Sequence, residues 1–192
     1  RQHFATGIMA AMAESLHVAE VIRCADFAAI KHKDQRRKDP EKTPYINHPI
    51  GVAHILTHEG GITDLQVIQA ALLHDTVEDT ETTYEELVDV FGKEVADLVM
   101  EVTDDKNLSK QERKQFQIEH APHSSHKAKL VKLADKLYNL RDLSRTTPAN
   151  WTAERVQEYF VWSSKCVAGL RGTNQKLEDA LDAVFKQKGV KV

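Results

Sequence analysis

Apolar residues recur at helical spacing in one segment after another, and no stretch alternates cleanly. From about Glu14 to Lys33 the residues Leu16, Val18, Ala19, Ile22, Ala25 and Ala29 predict a first helix. The next segment, "KDQRRKDPEKTP", holds no apolar residue and two prolines, which predicts a solvated loop. Asn47 is then expected to cap a second helix, with Pro49 in its first turn and the glycine pair Gly60 and Gly61 at its end. Asp64 precedes the run of Leu65, Val67, Ile68, Leu72 and Leu73, and that helix is expected to continue through Asp79. Further helices are predicted near 83–91, 93–102, 109–120, 125–143, 152–170 and 174–187. Lacking β-branched alternation, repeats or low-complexity sequence, the chain reads as an all-α single domain.

Composition narrows the setting. The chain has 192 residues, 41% of them hydrophobic, enough for a substantial core. Its net charge of −3 gives no general basic field, and its basic residues are not interleaved with aromatics, so nucleic-acid binding is not expected. Cys24 and Cys166 form no CxxC and no disulfide framework, as suits a reducing compartment. No apolar run approaches the roughly 20 residues that span a bilayer, and no secretory signal is evident. A cytoplasmic protein without membrane contact is expected. The opening "RQHFATGIMAA" lacks a helical period, so residues 1–13 are expected to be leader or added sequence outside the fold, with a natural start at Met9 or Met12. The domain is assigned to residues 14–192.

Chemistry concentrates in "ALLHDTVEDT", residues 71–80. On a continuous helix, taking His74 as zero, Glu78 falls near about 40°, Asp75 near about 100° and Asp79 near about 140°. All four would share one face, apolar at its start and ionisable at its end. Carboxylates this close raise one another's pKa unless a cation, basic side chains or water offsets them. A bound metal would do so, as would simple exposure at a fraying helix end. Two other segments add to the set. His48 in "PYINHP" follows the basic loop, and Asp135 lies in "KLVKLADKLYNL", where Leu130, Leu133, Ala134, Leu137 and Leu140 form the core stripe. Lys132, Asp135 and Asn139 occupy the other side of that helix. Together His48, His74, Asp75 and Asp135 offer a mixed nitrogen and oxygen set suited to manganese, iron or zinc.

A lone histidine, an adjacent His-Asp and a distant Asp resemble the HD superfamily of metal-dependent phosphohydrolases. More narrowly, "RRKDP", "TPYINHP", "ALLHDTVEDT", "VTDDK" and "KLADKLYNLRDL", in that order over about residues 20–187, resemble the hydrolase domain of the RelA/SpoT alarmone enzymes, and especially its small stand-alone animal form. The resemblance implies an all-helical HD fold that binds one Mn²⁺ and removes the 3′-diphosphate of guanosine 3′,5′-bis(diphosphate) (ppGpp), giving GDP and pyrophosphate. It implies His48, His74, Asp75 and Asp135 as metal ligands, and Glu78 and Asp79 as the pair that orients and deprotonates the attacking water. By the same resemblance Arg36, Arg37 and Lys38 contact phosphate and nucleotide, and Asn139, with Tyr138 beside it, contacts the nucleoside.

This chain departs from the bacterial pattern in two places. Tyr138 stands where a histidine is usual, and Lys42 and Thr43 precede the "PY" pair where a glycine is usual. Other candidates carry less. His120, His123 and His126 are separated by Pro122 and a serine pair, so they are expected in a loop. Asp104 and Asp105 receive no role. His32 is expected to cap the first helix or to support the site, and Trp151, Tyr159, Phe160 and Trp162 are expected to pack the C-terminal core. The site could also serve the 2′-phosphate of NADPH, a reaction associated with animal relatives, or hold an alarmone as a non-hydrolysing sensor. The intact Glu78 and Asp79 count against the sensor. With no synthetase region after the hydrolase motifs, the chain is expected to degrade the alarmone and not to make it.

Overall fold

The computed structural model describes the backbone of residues 2–191 and the side chains of residues 17–191. The expectation that residues 1–13 lie outside the fold concerns side chains outside the described residues. The helices are α1 (Gln2–Lys31), α2 (Asn47–His54), α3 (Leu65–Leu73), α4 (Thr76–Asp79), α5 (Tyr84–Phe91), α6 (Lys93–Val102), α7 (Lys110–His120), α8 (His126–Arg145), α9 (Ala153–Ala168) and α10 (Gln175–Gln187). A π-helical turn, Ile55–Glu59, extends α2, and a 3₁₀ turn, Ala121–His123, joins α7 to α8. Among the described residues there is no strand, only an isolated antiparallel bridge between Arg36 and Pro44, so the fold is all-α as expected. No described helix is long and apolar enough to cross a membrane.

Most helix starts follow from one polar residue. Asp64 accepts from the backbone N–H groups of Gln66 and Val67, and Thr83, Ser125, Thr152 and Asn174 cap α5, α8, α9 and α10 in the same way. Ser109 and Glu112 form a reciprocal capping box on α7. The expected cap at Asn47 is corrected: Ile46 precedes α2 with no side-chain cap. The N–H groups of Asn47 and His48 are satisfied by the carbonyls of Pro44 and Tyr45 in the preceding turn, at 3.1 and 2.9 Å. The second helix does end at the glycine pair. Gly60 N–H closes the π turn onto Ile55 O at 2.9 Å, and Gly61 takes φ +68°.

The single helix expected from Leu65 through Asp79 is also corrected, because α3 ends at Leu73 and α4 begins at Thr76. Asp75 sits at φ −96°, ψ −3°, in the sparsely populated bridge region. The Thr76 hydroxyl takes the Leu73 carbonyl at 2.7 Å, a local bond that competes with the regular helix.

Helix α8 runs through the middle of the molecule, against α2, α3, α6, α9 and α10. The predicted stripe of Leu130, Leu133, Ala134, Leu137 and Leu140 is buried. Its other face is not left in water: Lys136 is buried, and Lys132, Asp135 and Asn139 are half-buried. Helices α2 and α3 pack on each other and both pack on α8, which brings three widely separated motifs to one place.

The loop between α1 and α2 is pinned by Asp39, which accepts from the Thr43 backbone N–H at 3.0 Å and its hydroxyl at 2.5 Å, and by the Arg37 N–H on Thr43 O at 2.8 Å. Lys42 in this loop has φ +56°. This left-handed backbone at a residue with a side chain carries a conformational cost that glycine avoids. Lys42→Gly is expected to stabilise the protein by about 0.5–1 kcal/mol in a denaturant titration, after allowance for glycine's greater freedom in the unfolded chain. A loss of stability would show that the Lys42 side chain contributes more than its backbone costs.

Candidate metal centre

Each of three neighbouring helices delivers one side of a buried cluster. His48 comes from the first turn of α2, His74 and Asp75 follow the last turn of α3, and Asp135 lies in the middle of α8. His48 Nε2 and His74 Nε2 are 3.2 Å apart. Asp135 Oδ1 lies 3.2 Å from His48 Nε2 and 3.8 Å from His74 Nε2, and Asp75 Oδ2 lies 3.4 and 3.1 Å from the same two atoms. One ligand atom each from His48, His74 and Asp135 falls within 4.8 Å of the others, and Asp75 adjoins that group through the histidines.

The neighbours orient these atoms. Ala71 O accepts from His74 Nδ1 at 2.8 Å, so in the neutral ring that nitrogen holds the proton and the Nε2 lone pair faces the cluster. Tyr45 donates its hydroxyl to Asp75 Oδ2 at 2.5 Å, and Asn139 Nδ2 donates to Asp135 Oδ1 at 2.7 Å. Lys136 Nζ lies 3.4 Å from Asp135 Oδ2 and 4.7 Å from the centre of the Trp162 ring.

Burial and charge together set what the cluster requires. Burial alone would raise the Asp75 carboxyl, but the two histidines outweigh it and hold it well below the usual range. Burial likewise opposes ionisation of Asp135, which Lys136 and the histidines reverse. Burial would lower His74, yet Asp75 and Asp135 raise it well above an ordinary imidazole. Two carboxylates and two imidazoles this close require positive charge among them, as protons on the rings or as one divalent cation. The mixed nitrogen and oxygen donors, with His74 already fixed by an outer hydrogen bond, fit a divalent cation.

The break before α4 sets Glu78 and Asp79 off from His74 and Asp75, so the continuous helical face expected for this segment is not formed. Glu78 points towards Asp104, whose N–H approaches Glu78 Oε2 at 3.4 Å. It lines a cavity of about 90 Å³ together with His74, Asp75, Asp104, Lys132 and Asp135. Burial, then the charges of Asp104, Asp75 and Asp79, push the Glu78 carboxyl up to about 7. Asp79 turns the other way and accepts from Gln35 Nε2 at 2.9 Å, while Gln35 Oε1 meets the buried His32 Nδ1 at 2.6 Å. His32 therefore supports this flank, as expected.

The basic run divides similarly. Arg37 Nη2 donates to Asn139 Oδ1 at 3.0 Å and Asp142 Oδ2 at 2.9 Å, and its guanidinium lies 5.7 Å from the ring centres of both Tyr45 and Tyr138. Tyr138 packs its ring 4.9 Å from that of His48. Arg36 and Lys38 are exposed, and Arg36 donates to the carbonyls of Lys33 and Gln35. The structure thus brings Arg37, Tyr138 and Asn139 to the cluster and leaves Arg36 and Lys38 on the outer surface of the loop.

The HD domain family model matches residues 24–162. The chain belongs to the HD domain family. Across 178 residues this HD domain is 66% identical to the guanosine-3′,5′-bis(diphosphate) 3′-pyrophosphohydrolase MESH1 of Xenopus tropicalis, covering 93% of this chain and 99% of that protein. Its identity to the Homo sapiens protein of the same name is also 66%, over 91% and 97% of the two chains. A solved structure described as a metazoan ortholog of SpoT that hydrolyzes ppGpp superimposes with a TM-score of 0.88 at 57% identity, over 90% of this chain and 97% of that one.

Several residues of this HD domain escaped the sequence reading. Spacing gives Asp104 no role, yet it faces Glu78, and it does not single out Tyr45, which holds Asp75. The "VTDDK" and "PYINHP" motifs were the available signals. Gln35 lies within a charge run, and nothing in the sequence marks Lys136. Of the C-terminal aromatics, Phe160 is buried as expected, whereas Trp162 is half-buried, donating to Lys114 O at 3.0 Å and carrying Lys136 on its ring.

Because the folded Glu78 binds its proton more tightly than an unfolded glutamate, ionising it opposes folding. Stability is lost as pH rises from about 4.5, the ordinary value, to about 7. Glu78→Gln should therefore raise the melting temperature of metal-free protein at pH 8 and change it little at pH 4. Equal melting of the two proteins at pH 8 would contradict this electrostatic account.

Proposed function

We propose that this protein is a manganese-dependent ppGpp 3′-pyrophosphohydrolase, producing GDP and pyrophosphate. The observation that carries the reading is the convergence of His48, His74, Asp75 and Asp135 beside Glu78, in a chain 66% identical to relatives named for that activity. His48, His74, Asp75 and Asp135 hold the cation. When bound, it supplies Lewis acidity, polarising a phosphoryl oxygen and lowering the pKa of water.

The protein's own groups do the rest. Glu78, outside the ligand cluster and lining its cavity, accepts a proton from the attacking water. Asp79, fixed by Gln35, orients that water from the opposite flank. Oxygen adds to the phosphorus on the ribose 3′ oxygen, the P–O3′ bond breaks, and the 3′ oxygen leaves with a proton. Arg37, held between two aromatic rings, offers a guanidinium to phosphate and a flat surface to the base, with Tyr138 and Asn139 beside it. Arg36 and Lys38 add positive charge at the entrance.

Purified protein supplied with Mn²⁺ is expected to release pyrophosphate from ppGpp, and a chelator should stop it. Glu78→Ala is expected to lower kcat by about 10²–10⁴-fold while leaving the bound-metal stoichiometry unchanged, measured by elemental analysis of the purified variant. Full activity in that variant would remove Glu78 from the mechanism. No pyrophosphate from the wild-type protein would remove the substrate assignment.

A further inference from the structure

The cavity on the Glu78 side has a charge arrangement that the proposed chemistry does not use. Its volume, about 90 Å³, is well below the roughly 300–1,000 Å³ of sites that enclose whole small molecules. It admits a phosphoryl-sized guest and excludes a nucleoside. The acids on its wall are already engaged, Glu78 by the Asp104 N–H at 3.4 Å. Asp75 and Asp135 belong to the ligand cluster, with Lys136 beside Asp135. Glu101 accepts from the backbone N–H and hydroxyl of Ser125 at 2.5 and 2.7 Å, and Asp104 accepts from Gln117 Nε2 at 2.7 Å.

Lys132 is different. It lies one turn before Lys136 on α8, half-buried on the cavity wall. Among the described residues no carboxylate oxygen comes within 4.0 Å of its ammonium, whose one neutral partner is Ser124 Oγ at 3.2 Å. Burial and the nearby Lys136 charge push the ammonium below its ordinary pKa, by more than Glu101 and Asp104 raise it. The opposite flank of the cluster carries Arg37, Tyr45 and Tyr138, surfaces suited to a base and ribose. A nucleotide lying there with its 3′ phosphorus at the ligand cluster directs the terminal phosphate into this cavity.

We infer that Lys132 forms a subsite for the terminal phosphate of the 3′-diphosphate, and that it selects a diphosphate over a monophosphate at that position. The inference rests on the ppGpp reading above. It makes Lys132 a specificity residue that holds the departing pyrophosphate and takes no part in proton transfer.

The test compares wild type, Lys132→Met and Lys132→Arg as full chains loaded with Mn²⁺. Substrates are ppGpp and guanosine 5′-diphosphate 3′-monophosphate, with pyrophosphate and orthophosphate as inhibitors. Losing one charge-assisted phosphate contact predicts a fall of roughly 30-fold in kcat/KM for ppGpp, and less than about threefold for the monophosphate. The pyrophosphate inhibition constant should rise about tenfold or more in Lys132→Met, the orthophosphate constant should stay within about twofold, and Lys132→Arg should restore most of the loss. Equal losses on both substrates, or unchanged pyrophosphate inhibition in a variant that melts like wild type, would overturn the subsite. If Lys132→Met does not fold, Lys132→Gln replaces it under the same criteria. If the wild type does not cleave ppGpp, the parent reading fails by itself, and calorimetric binding of pyrophosphate to the wild type and to Lys132→Met still decides the subsite.

Discussion

Everything in this molecule is arranged around the crowding of two imidazoles and two carboxylates in its interior. Buried charge costs several kcal/mol per ion unless it is paired and hydrogen-bonded. The fold meets that cost with a ring of supporting groups: Ala71 O on His74, the Tyr45 hydroxyl on Asp75, and Asn139 and Lys136 on Asp135. Those supports come from α3, α8 and the loop before α2. The core that stabilises the fold and the frame that aims the ligands are therefore one set of contacts, with α8 giving its leucines to the first and its polar edge to the second.

The cluster also divides the site into unlike halves. One side is open, with a guanidinium between aromatic rings. The other is a small cavity with lysine and carboxylate walls. Glu78 and Asp79, consecutive on α4, point about 100° apart and so serve different sides, Glu78 the cavity and Asp79 the Gln35 flank.

Much of this was legible in the sequence where local chemistry decides the outcome. Asp64, Thr83, Ser109, Ser125, Thr152 and Asn174 mark helix starts because a side-chain oxygen on an orphan N–H is a short-range effect. The α8 stripe was legible because its period is strict. By spacing alone, nothing required His48 to meet Asp135, 87 positions later; the motifs suggested it and the packing of α2 and α3 on α8 accomplishes it. What spacing misread depended on backbone detail. Asn47 lost its cap role to carbonyls of the preceding turn, and the helix wheel through Asp79 failed at Asp75. The burial of Lys136 was not legible because Trp162, whose ring it lies on, is brought to it by a tertiary contact.

Asn139 has one further consequence. Its carbonyl takes a hydrogen bond from Arg37 and its amide gives one to Asp135, so a single planar group joins the surface loop to the buried cluster. A ligand that draws Arg37 away releases the amide from one side and alters its hold on the carboxylate at the other. Linkage makes the effect mutual: whatever tightens Asp135 in place biases Arg37 by the same free energy. Loop and core then report on each other's occupancy through one side chain, with no helix required to move.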